Sequence, residues 1–78
     1  SRQRMTVTHD LEVIVTLLAC AAIELTPSAD ATFTFKELFQ TALAFGGEEA
    51  VLVEADVRIV LPFVKFLAKL PGGRYRLK

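Results

Sequence analysis

The chain has 78 residues, with nine Lys or Arg against nine Asp or Glu and a formal net charge of zero. A chain this short buries only about 60% of the surface its unfolded form exposes and cannot divide that core, which excludes a second domain. A single cysteine, Cys20, excludes an internal disulfide and a cysteine-rich metal site, so a reducing, cytoplasmic setting is expected.

The zero balance hides a sorting by position. From Met5 through Val57 one basic side chain, Lys36, stands against nine acidic ones, a balance of −8; from Arg58 onward there are six cations and no acid, with Arg2 and Arg4 supplying the rest. Such a dipole can present its basic end to an anionic partner.

Taken in chain order, residues 1–7 read as a flexible lead ahead of the domain. The segment from about Thr8 to Leu25 predicts the first helix, with Thr8 or Asp10 as cap and Asp10 and Glu12 where the helix dipole favours negative charge. Its apolar side chains cover nearly the whole circumference, as in a helix that is central or shared between subunits. Leu17-Leu18-Ala19-Cys20 is like a lipoprotein cleavage box, but Asp10 and Glu12 border it where a signal peptide is basic or neutral. The run from Glu12 to Glu24 also falls short of the roughly 20 apolar residues that span a bilayer, so no membrane partner is expected.

Thr26-Pro27-Ser28-Ala29-Asp30 predicts a connection, since Pro27 cannot continue the helix. Thr32-Phe33-Thr34-Phe35 alternates polar and aromatic β-formers, the pattern of a short strand. Lys36 to Phe45 predicts a second helix, ended by Gly46-Gly47. Val51-Leu52-Val53 reads as a short strand, a turn, or the approach to the next helix. Asp56 is a candidate cap for a third helix from Val57 to about Leu67, with Val57, Val60, Leu61, Val64 and Leu67 as its buried stripe. Pro62 inside that helix predicts a kink or loosening worth about 3 kcal/mol.

Pro71-Gly72-Gly73 then predicts a tight turn in a terminal hairpin, with Tyr75 and Leu77 facing inward and Arg74, Arg76 and Lys78 outward. The expected class is mostly α with a small β-hairpin (α+β), in the order helix, strand, helix, helix, hairpin.

This order, with the Leu-Pro-Gly-Gly-Arg-Tyr-Arg-Leu hairpin as a short wing, resembles the winged helix-turn-helix family. The resemblance implies a three-helix bundle whose third helix lies in the DNA major groove and whose wing touches the phosphate backbone or minor groove. It makes duplex DNA the expected partner, in a role such as transcription regulation. The candidate nucleic-acid-binding residues are Arg58, Lys65 and Lys69, which share one stripe if the third helix runs that far, and Arg74, Arg76 and Lys78 on the hairpin. The third helix carries no Asn, Gln, Ser or Thr to read base edges, so Arg58 is its best candidate for guanine. Ile59, Phe63 and Phe66 form a second apolar row beside the basic stripe. This row motivates an alternative, a protein-interaction or dimerisation module of the same fold that does not bind DNA.

Catalytic chemistry is not expected. A catalytic site needs converging titratable groups, and the chain offers one histidine, one cysteine and scattered carboxylates. His9 and Cys20 are about three helical turns apart and cannot touch within one helix. Glu48-Glu49 and Glu54 with Asp56 lack the alternating oxygen pattern of a calcium loop, and no glycine-rich phosphate loop is present. No cofactor, metal or small-molecule substrate is therefore expected. The absence of Asn and Trp, with one Met, fits a thermophilic source.

Overall fold

The computed structural model describes residues 11–46 and 52–78. The expected lead 1–7, the caps Thr8 and Asp10, His9, Gly47 and the Glu48-Glu49 pair lie outside the described residues, as does Val51.

Among the described residues the fold is mixed α/β, with three helices and a three-stranded antiparallel sheet. Helix α1, Leu11–Glu24, buries Ile14, Leu18, Ala21 and Ala22, a spacing of four, three and one that forms a single face. After the turn at residues 25–32, strand β1 (Phe33–Thr34) runs directly into helix α2, Phe35–Gly46, which buries Leu38 and Ala42. The two helices pack along each other, and the fully buried Ala21, Ala22 and Ala42 let their backbones approach closely.

Helix α3 runs from Glu54 to Val60 and passes at once into a 3-10 turn, Leu61–Phe63. The sequence predicted one helix to about Leu67; instead it stops seven residues earlier. Pro62 is the physical reason, because it has no amide to donate into the α ladder and its ring disfavours continuation. Val64 is already extended, with φ −81 and ψ 121. Even so, Val57, Val60, Leu61, Val64 and Leu67 are all buried as expected. A helix, a 3-10 turn and a strand turn the same side chains inward by three different backbones. Asp56 is not the cap either: Val53 occupies that position without a side-chain bond, and Asp56 is buried in the first turn of the helix, only 3% exposed.

Strands β2 (Leu67–Leu70) and β3 (Arg74–Leu77) form the hairpin. Their register pairs Leu67 with Leu77, Ala68 with Arg76, Lys69 with Tyr75 and Leu70 with Arg74. The turn needs both glycines, since Gly72 and Gly73 hold φ of 80 and 74, where an L side chain is strained. β1 pairs with β3, Phe33 opposite Tyr75 and Thr34 opposite Arg74, so the sheet order is β1-β3-β2. Phe33 is the largest fully buried side chain, and Tyr75 and Leu77 pack against the same core. Among the described residues no helix is long and apolar enough to cross a membrane.

Candidate nucleic-acid interface

Antiparallel register divides the cations of the hairpin between its two faces, because directly opposed residues share a face and neighbours along a strand do not. Lys69 lies opposite Tyr75, which lies opposite Phe33, so Lys69 belongs to the face that carries the core. Arg74 and Arg76 belong to the other face, with Thr34, Ala68 and Leu70. Lys78 continues that row, since its amide donates to the Phe66 carbonyl at 2.9 Å and extends the ladder by one step. The single basic stripe expected for Arg58, Lys65 and Lys69 on the third helix does not form. Arg58 is on α3, Lys65 is in the turn that follows, and Lys69 is on β2.

Arg58 is also committed to its own surroundings. Its guanidinium lies 4.1 Å from the centre of the Phe35 ring, which is itself stacked on Phe39 at 6.0 Å and 8°. Nε of Arg58 donates to Oε2 of Glu54 at 3.0 Å, and Nη2 lies 2.9 Å from the same oxygen, four residues earlier on the same helix. A guanidinium held between a carboxylate and an aromatic face is poorly placed to read guanine.

On β3, Arg74 donates from Nε to the Thr32 hydroxyl at 2.9 Å and from Nη2 to the Thr32 carbonyl at 3.3 Å. These bonds orient the side chain and leave its charge uncompensated. No carboxylate among the described residues pairs with Lys65, Lys69, Arg76 or Lys78. Lys65, Lys69, Arg74 and Lys78 are exposed, and Arg76 is half-buried.

The apolar row expected on the third helix is broken at the same proline. Phe66 turns back and packs against the core, while Ile59 is 40% exposed and Phe63 79% exposed. The outward side of α3 and its 3-10 turn therefore carries Glu54, Ala55, Arg58, Ile59, Pro62 and Phe63. Its only cation is the one neutralised by Glu54.

Between α3 and the hairpin lies a cleft of ≈310 Å³, lined by Arg58, Lys69 and Tyr75 over Leu61, Pro62, Val64 and Leu67. Nothing local in the sequence announced it, because its walls come from elements whose contact is set only by folding. A local signal for the start of α2 was present and is realised: Thr34 and Glu37 form a capping box. The Glu37 amide donates to the Thr34 hydroxyl at 3.2 Å, and the Thr34 amide to Glu37 Oε1 at 2.8 Å. Among the described residues no group of three His, Cys, Asp or Glu could hold a metal ion.

Comparison with known proteins returned no match: no family model, no curated protein and no solved structure is similar to this chain.

Proposed function

We propose that this chain is a small winged-helix-like protein that binds duplex DNA through its hairpin, with contacts to phosphate dominant and little reading of base sequence. The observation that carries this reading is the row Arg74, Arg76 and Lys78. These cations recur at every second residue of an extended strand, about 6.8 Å apart, and no carboxylate among the described residues neutralises them. That interval is close to the separation of successive phosphates along one strand of a duplex. The order of elements and the β1-β3-β2 sheet also support the resemblance to winged helices, in which the hairpin is the wing. Arg58 contributes nothing to base readout in this account. About four phosphate contacts, with Lys65 as the fourth, make log affinity fall with log salt at a slope of about −3.6. Titration of a fluorescent duplex at two salt concentrations tests this; no binding at low salt, or binding indifferent to salt, removes the reading.

One observation favours a second reading, self-association without DNA. Phe63 is 79% exposed in the 3-10 turn that contains Pro62, beside the exposed Ile59. A second copy of the chain covering both would bury them, and sedimentation at rising concentration tests it: a strictly monomeric chain excludes this role.

A further inference from the structure

We propose that the cleft between α3 and the hairpin binds a small aromatic oxyanion, a carboxylate or a phosphate ester, with its acid group between Arg58 and Lys69 and its ring on the apolar floor. This goes beyond the DNA reading, which uses the opposite face of the hairpin. Lys69 is a cation on the core-side face of the sheet, the face shared with the buried Phe33 and Leu67, and no described carboxylate answers it. Its side chain is exposed at the mouth of the cleft, where its charge is open to an incoming anion. Arg58 forms the other wall with its guanidinium already oriented by Phe35 and Glu54. Because Nε and Nη2 both address the one Glu54 oxygen, the edge of the guanidinium carrying Nη1 keeps its donors for a ligand. An acid group received there meets a planar fork already directed by its contacts with Phe35 and Glu54.

The floor sets the rest of the ligand. Leu61, Val64 and Leu67 are nearly buried and present apolar surface beside Pro62, while Tyr75 adds an aromatic edge. The volume of ≈310 Å³ sits at the lower end of the range for small-molecule sites, which suits a single ring with its headgroup. A bare inorganic anion would leave that floor wet, and a neutral aromatic would leave Lys69 unanswered.

The test is a titration of the full chain by amide chemical shifts, with benzoate and phenyl phosphate as probes and acetate and benzyl alcohol as controls. Saturable shifts are expected at residues lining the cleft, from Arg58 to Lys69 and at Tyr75, with dissociation constants on the order of 1 mM. Tighter binding of phenyl phosphate than of benzoate, or the reverse, identifies the headgroup; both orders support the site. Lys69→Met, at an exposed position, is expected to weaken binding by about tenfold or more. Arg76→Gln, on the opposite face of the sheet, is expected to leave it unchanged. The proposal is overturned if neither probe saturates, if the shifts map elsewhere, if benzyl alcohol binds as well as benzoate, or if Lys69→Met and Arg76→Gln have equal effects.

Discussion

The guanidinium of Arg58 lies 4.1 Å above the centre of the Phe35 ring, which joins the first residue of α2 to the middle of α3. At an exposed site a contact of this kind is worth about 0.5–1 kcal/mol. A double-mutant cycle with Arg58→Met and Phe35→Leu, read by urea denaturation, is expected to give a coupling energy of about that size.

Neutralisation of Arg58 by Glu54 has a consequence for binding. Glu54→Gln frees one positive charge on the outward side of α3, so duplex affinity at low salt is expected to rise. Because Arg58 lies off the face that carries Arg74, Arg76 and Lys78, no phosphate contact is added and the slope of log affinity against log salt is expected to stay at about −3.6. Fluorescence anisotropy with duplex DNA measures both.

The Thr34 and Glu37 capping box anchors the start of α2 where β1 ends. Thr34→Ala is expected to cost about 1 kcal/mol of stability, because the Glu37 amide loses its acceptor at 3.2 Å. Urea denaturation of the variant checks this, with Ser as the conservative replacement that restores most of the loss.

Both turn glycines hold the left-handed conformation, and a Cβ on either meets nothing within 4 Å. The cost of Gly72→Ala or Gly73→Ala is therefore backbone strain alone, about 1–2 kcal/mol for each. Chemical shifts are expected to change along β2 and β3 and to leave α1 and α2 unaltered.

Phe63→Glu is expected to change stability by less than about 0.5 kcal/mol, since the ring is 79% exposed. Any association of the wild-type chain seen in sedimentation is expected to disappear in this variant.

The parts of the fold that were legible in the sequence depend on neighbours in the chain. The stripe Val57, Val60, Leu61, Val64 and Leu67 could be marked as buried because apolar spacing reports burial, whatever backbone delivers it. The same spacing could not report that the helix ends at Val60; Pro62 signalled an interruption, and extending the helix through it carried Lys65 and Lys69 onto a stripe they do not share with Arg58. The hairpin was legible from Pro71-Gly72-Gly73 and the alternation that follows. Which face each cation occupies depended on register, so the separation of Lys69 from Arg74 and Arg76 appeared only with the sheet assembled. The bonds from Arg74 to Thr32, 42 residues earlier, had no local signature at all.

Whether the row Arg74, Arg76 and Lys78 binds phosphate is decided by the salt dependence of duplex affinity in the Arg74→Gln, Arg76→Gln double variant. Between about 50 and 200 mM salt the wild-type slope is expected near −3.6 and that of the variant near −1.8, with weaker binding throughout. Equal slopes and equal affinities for the two proteins would mean that the row does not hold the duplex.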